Sequence, residues 1–258
     1  MLARNPAFTS IAILTLALGI GANTAIFSVV NTVLLRPLPF QDPDRIVVVG
    51  QEYMGGLGEV SPADLLDVQA QNHSFEQIAA YRGWNFNLTA GDRPERVIGE
   101  VVTPNFFPLL GVKPILGRTL LPEDGGPGGH RTAVLSYGLW QRYFGGNASV
   151  LGEKVTLNGE PYIVIGVMPR GFAFPEEAEL WTGPRFALPE HPLRPGVDPA
   201  TTRGSHYFDA IARLRESVTP DQARADLAVV FKNIVQSHAD SDLRDTKPWV
   251  TSLHEDEV

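Results

Sequence analysis

The chain contains no cysteine among its 258 residues. That excludes a disulfide scaffold, a thiolate metal site and a cysteine nucleophile. It also lacks an excess of positive charge: 21 Lys and Arg stand against 29 Asp and Glu, for a formal charge of −8. From residue 41 onward the balance is 19 basic against 29 acidic. Such a surface binds no nucleic acid, which is held by neutralising phosphates, and does not hug anionic lipid. No stretch reads G-x-x-x-x-G-K-[ST] or G-x-S-x-G, so neither a P-loop nor a nucleophile elbow is present. The six histidines, His73, His130, His191, His206, His238 and His254, form no i,i+4 pair and show no metal-ligand spacing. The glycines at 125, 126, 128 and 129 read as a loop rather than a phosphate cradle, because no strong strand precedes them and no helix follows at once. The sequence therefore assigns no catalytic, cofactor-binding or metal-binding residue.

Charge is absent altogether from residues 7–35, a run of 29. At about 1.5 Å per residue a helix of that length reaches roughly 43 Å, against a bilayer core of about 30 Å. The run outlasts the roughly 7–15 apolar residues of a secretory signal, which favours an uncleaved transmembrane anchor over a cleaved leader. Ala17, Gly21 and Ala25 recur every four residues and fall on one helical face. Small residues let membrane helices approach closely, and Asn23 and Asn31 can hydrogen-bond across such a contact. A packing helix is the expectation. Arg36, Pro37 and Pro39 close the run: the arginine can snorkel to the interface and the prolines stop the helix. They form the expected membrane exit junction.

Beyond it, Gly and Pro total 46, so turns are frequent and long helices scarce. Ile46–Val49 reads as a strand, and Ser61-Pro62 as a helix start, with the helix reaching about Gln71. Strands are expected over 75–88 and 96–102, then a short helix from Asn105 stopped by Gly111. Ser136 caps a helix ended by Gly145-Gly146. Asn158-Gly159 joins two strands in a type I′ hairpin. Leu180 and Trp181 are the expected buried pair of a Pro/Gly-rich stretch. A strand over 207–214 precedes Thr219-Pro220-Asp221-Gln222, a capping box with proline at the first helical position. The helix it opens aligns Ala223, Leu227, Val230, Phe231 and Ile234 in one stripe. A closing strand is expected near Trp249. Trp84, Phe86, Phe106, Phe107, Trp140 and Trp181 read as core residues, with a ligand groove as the alternative. The order of elements is that of an α+β fold whose pattern breaks off near 113 and resumes near 204.

LTLALGIGANTAIFSVVNTVLLRPLPF, SPADLLDVQAQNHSFEQIAAY, NLTAGDRPERVIGEVVTPNFFPLLGVKPILGRTL, VLSYGLWQRYFGG and LNGEPYIVIGVMPRGFAFP together resemble the MacB-like ABC transporter permeases, within them the orphan, internally duplicated group. The resemblance runs over nearly the whole chain. It implies a transmembrane helix and exit segment over 1–40, then a two-subdomain periplasmic core over 41–258. In that core 41–112 with 205–258 would form a porter-like subdomain and 113–204 an inserted one. It further implies a bacterial inner-membrane location with 41–258 in the periplasm, a separate ABC ATPase subunit that binds the ATP, and a permease homodimer or an internally duplicated full-length chain. Family members continue past the core into further membrane helices with an FtsX-like domain, so the chain is expected to be an N-terminal fragment. The implied activity is mechanotransmission for efflux or export, with no enzymatic chemistry in this chain. A membrane-anchored periplasmic binding or adaptor module is the alternative, and an anchored hydrolase a weaker one.

Overall fold

The structure is a computed structural model that describes residues 14–21, 23–24, 40–90, 93–126, 128–175, 177–238 and 241–256. Contacts divide the chain into two units, Met1–Leu38 with Glu257–Val258, and Pro39–Asp256. In the first unit the described residues are helical and exposed. Leu14, Leu16, Leu18 and Ile20 are each at least 63% exposed, and Thr24 Oγ1 donates back to the Ile20 carbonyl at 2.8 Å. No helix among the described residues is long and apolar enough to cross a membrane; most of the expected span lies outside them.

The second unit is built on one sheet. Its strands are β1 (Ile46–Tyr53), β2 (Gly56–Gly58), β3 (Phe75–Ala90), β4 (Arg93–Val102), β5 (Leu116–Gly117), β6 (Thr132–Leu135), β7 (Lys154–Leu157), β8 (Glu160–Val167), β9 (Leu180–Thr182), β10 (Asp209–Leu214) and β11 (Pro248–Ser252). The hydrogen-bonded order is β11-β1-β10-β3-β4-β9-β6-β8-β5, with β2 added to β1 and β7 to β3 and β8. Its helices are α1 (Pro62–Gln71), α2 (Phe106–Leu110), α3 (Tyr137–Phe144), α4 (Pro220–Ser237) and α5 (Leu253–Asp256). This is the expected α+β class.

The strands β3 and β4 are a shared beam. They pair antiparallel from Tyr81↔Val102 to Ala90↔Arg93, and β3 alone runs 16 residues, about 50 Å at the usual rise. Buried side chains gather in two clusters along it. Phe75, Ile78 and Ala80 from β3 pack with Val47, Val49, Leu65, Val68, Leu227, Val230 and Ile234. Further along, Phe86 and Leu88 pack with Val97, Leu135, Leu139, Trp140, Val155, Val164 and Leu180.

Local chemistry explains the elements. Thr219 Oγ1 accepts from Gln222 N, and the Gln222 side chain accepts from Thr219 N, so two otherwise unpaired donors are satisfied at the start of α4. The buried face of that helix is the anticipated Ala223, Leu227, Val230, Phe231 and Ile234. Asn158 and Gly159 both have positive φ, 51° and 85°, the backbone a type I′ turn needs between β7 and β8. Ser136 caps α3 by accepting from Leu139 N at 3.1 Å. Ser61 sits at the N-cap of α1 without capping it; its hydroxyl faces the Thr202 carbonyl at 3.5 Å. Tertiary contact with the 202 segment has redirected the group that local sequence aimed at the helix.

Candidate functional site

A cluster of rings and a buried guanidinium stand where the described residues of the Pro39–Asp256 unit begin. Phe40, buried to 8% exposure, opens it. Its ring meets Phe172 at 6.3 Å and Phe174 at 5.5 Å, both edge to face. The contacts run on. Phe174 stacks on Phe106 at 5.9 Å, Phe106 meets Phe107 at 5.5 Å, and Phe107 and Phe172 both meet Trp181. Such pairs each contribute about 0.5–1.5 kcal/mol beyond their area. Trp181 is fully buried and donates from Nε1 to the Phe174 carbonyl at 3.0 Å.

Trp181 belongs to β9, the strand that pairs parallel with β4 through Gly99↔Leu180 and antiparallel with β6 through Leu135↔Leu180. On the sheet's hydrogen-bonded path β9 is the link from the β3–β4 beam to β6 and β8. The ring network thus ties Phe40, the first described residue of the unit, to β9.

A buried guanidinium fixes the backbone beside Phe40. Arg213, on β10 and 7% exposed, donates from Nε and Nη2 to the Leu109 carbonyl at 2.9 and 2.5 Å. Its Nη2 also donates to the Gln41 carbonyl at 2.7 Å. Gln41 N donates in turn to the Leu110 carbonyl at 3.0 Å. The last carbonyls of α2, which have no partner within the helix, are therefore used to hold the incoming chain. Burial, and then the neighbouring Arg45, hold the Arg213 pKa below the usual arginine value. Arg45 donates to the Leu214 carbonyl and to Glu76 Oε2. Gly111 completes the clamp: its φ is +70°, and a Cβ there would lie 2.4 Å from Gln41 Cβ. Only glycine accepts both the left-handed backbone and the approach.

Of the residues singled out from sequence, Ala17, Gly21 and Asn23 are helical and exposed, and nothing lies within 4 Å of a Cβ placed on Gly21. Ala25, Asn31, Arg36, Pro37 and Pro39 lie outside the described residues. Phe86, Phe106, Phe107, Trp140 and Trp181 are buried, as the core reading requires. Trp84 is half-buried. It lines a groove with Arg82, Tyr162, Glu190 and His191, and the Arg82 guanidinium lies 4.6 Å above its ring.

The clamp residues Arg213, Gln41 and Gly111 were not legible as a site. Arg213 lies 172 residues from Gln41, and its charge between the apolar Ala212 and Leu214 was the one available signal. The fold also gathers Asp64, His206 and Asp242, with one potential ligand atom from each lying within 4.8 Å of the others. Those three come from separate segments, and no spacing rule joins them.

The chain belongs to the MacB-like periplasmic core domain family, whose model matches residues 9–230. Three solved structures share the fold. A domain assigned to a permease protein from Porphyromonas gingivalis is 19% identical, with a TM-score of 0.61 over 83% of this chain and 93% of that one. The periplasmic region of MacB from Actinobacillus actinomycetemcomitans is 15% identical, with a TM-score of 0.53 over 80% and 87%. The extracellular domain of the noncanonic ABC-type transporter YknZ from Gram-positive bacteria is 14% identical, with a TM-score of 0.55 over 80% and 99%. No curated protein matches the chain.

Proposed function

We propose that the chain is the first part of an ABC transporter permease subunit that converts ATP hydrolysis by a separate cytoplasmic ATPase into movement of a periplasmic body, in efflux or export. Residues 7–35 form the first membrane helix, and 41–258 lie in the periplasm of a bacterial inner membrane. Two copies, or two halves of a duplicated chain, pack through the stripe Ala17, Gly21 and Ala25, with Asn23 and Asn31 beside it. The exposed apolar side chains from Leu14 to Ile20 suit lipid or a partner helix. We further propose that 41–112 with 205–258 form a porter-like subdomain and 113–204 an insertion. Two buried clusters along the β3–β4 beam support two bodies, with Phe86, Leu88 and Val97 of the first segment packed into the second cluster and Leu188 of the insertion packed into the first.

The observation that carries this reading is the clamp. A displacement of the incoming chain is delivered by Phe40 and the Arg213 hydrogen bonds into the sheet rather than absorbed by a slack linker. No covalent chemistry is needed in this chain, and ATP is bound elsewhere.

The test uses the complete permease reconstituted with its ATPase in lipid vesicles, with a spin label replacing the exposed Leu193 in each copy. ATP should change the distance between the labels. Phe40→Ala combined with Arg213→Lys should leave ATP hydrolysis in place and reduce the distance change several-fold. An unaltered distance change in the double variant would sink the clamp as a transmitter. Failure of the parent chain to co-purify with an ATPase subunit would favour a passive anchored adaptor instead.

A further inference from the structure

A second cluster, remote in sequence from the clamp, has the makings of a metal centre. Asp64 lies on α1, His206 on the segment leading into β10, and Asp242 on the short helical turn Asp242–Asp245. Their potential ligand atoms, one from each, all lie within 4.8 Å of one another. Asp64 is 3% exposed. Arg203 engages its Oδ1, yet Oδ2 is buried and has no hydrogen-bond partner. The Nε2 of His206 is likewise buried and unpartnered. A third such atom is Gln51 Oε1, on a β1 side chain that is 8% exposed.

Gln51, Asp64 and His206 line one small cavity of about 20 Å³ whose other walls are largely apolar, Val49, Leu65 and Phe231 among them, room for a single water or ion. Asp242 is not among its walls and approaches from the Nδ1 side of His206. Buried polar atoms without partners are costly to the fold. Three of them around one cavity mean that the fold holds lone pairs ready for something absent from the polypeptide.

The charges favour a cation. Arg203 reaches both Asp64 and Asp67. His238 Nε2 lies 3.8 Å from Asp67, and His206 Nδ1 lies 3.7 Å from Asp242. Three carboxylates, Asp64, Asp67 and Asp242, thus stand against one guanidinium. We infer that Asp64, His206 and Asp242 bind a zinc-type divalent ion, with Gln51 Oε1 available as a further oxygen donor.

One imidazole nitrogen with carboxylate oxygens suits zinc, whereas magnesium and calcium prefer oxygen alone. Zinc bonds of about 2.0–2.2 Å require the ligand atoms to close by about 1 Å, a movement within reach of Asp242, whose side chain is 47% exposed. The ion would staple α1 to the segment leading into β10 and to the turn after α4. The site is independent of the transport reading.

The test uses the full chain without a polyhistidine tag, purified in detergent and stripped with chelator. ZnCl₂ at about a hundredfold excess over its dissociation constant should raise Tm by roughly 5–10 °C, with one zinc per chain by elemental analysis. MgCl₂ should give no shift. Asp242→Asn and His206→Gln, both at the accessible rim, should abolish the zinc shift while leaving the metal-free Tm close to that of the parent. No zinc shift, an equal shift with MgCl₂, or full retention of the shift in both variants would overturn the assignment.

Discussion

Replacing Arg213 with methionine removes the guanidinium while keeping an unbranched side chain of similar reach. The Leu109 carbonyl, buried, loses both its donors from that side chain, and the partly exposed Gln41 carbonyl loses one. A hydrogen bond from a charged donor contributes about 1.5–3 kcal/mol, and the partly solvated one less, since water can replace it. Relief of the buried charge offsets part of this, because burial already disfavours the guanidinium. The net loss is about 2–3 kcal/mol. For a unit running from Pro39 to Asp256, that lowers Tm by roughly 4–12 °C, measured by circular dichroism. Arg213→Lys keeps the charge but offers a point donor in place of the planar fork, so its Tm should fall between the two. Amide exchange adds a local readout: the Gln41 N–H, bonded to the Leu110 carbonyl, should exchange faster in the methionine variant. Gly111→Ala should accelerate the same amide by crowding Gln41. If Arg213→Met melts within about 2 °C of the parent and exchange at Gln41 is unchanged, the clamp argument is wrong.

Leu227, fully buried on α4, should cost about 3 kcal/mol on replacement by alanine, seen as a lower urea midpoint at unchanged m; a loss under 1 kcal/mol would mean the cluster repacks around the gap. Burial pushes the Tyr207 phenol from 10.0 to about 12, against the pull of Arg82, and its hydroxyl donates to the Pro189 carbonyl at 3.0 Å. The unfolded chain loses this proton near pH 10 while the folded chain keeps it, so the stability from Tyr207 is complete below pH 10 and lost as pH climbs to about 12. Tyr207→Phe should flatten that part of the alkaline stability profile, measured by denaturant titration between pH 9 and 12; an unchanged slope would count against it.

Elements that depend on a few adjacent residues were legible before any coordinates. The Thr219 capping box, the stripe from Ala223 to Ile234, the Asn158-Gly159 hairpin and the Gly111 and Gly145 helix stops all rest on chemistry within about one turn. Lengths were harder. Sequence placed the strand at 46–49, whereas β1 reaches Tyr53, because pairing of Gln51, Glu52 and Tyr53 with β2 extends it. The linking strand β9 has three residues, too few for a periodic signal. Its strand identity comes from partners at Gly99 and Leu135, although its residues Leu180 and Trp181 were expected to be buried.

The sequence by itself determined the uncharged run over 7–35, the absence of thiol and P-loop chemistry, the α+β alternation and the family to which these residues belong. Each follows from composition or from contacts between near neighbours. The tertiary structure alone decided that Arg213 grips Gln41, that six rings from Phe40 to Trp181 adjoin, and that Asp64 meets His206 and Asp242. Those meetings join segments up to 178 residues apart, from Asp64 to Asp242. Burial makes such bonds necessary once the chain has closed, and no local spacing records which partners closure will bring together.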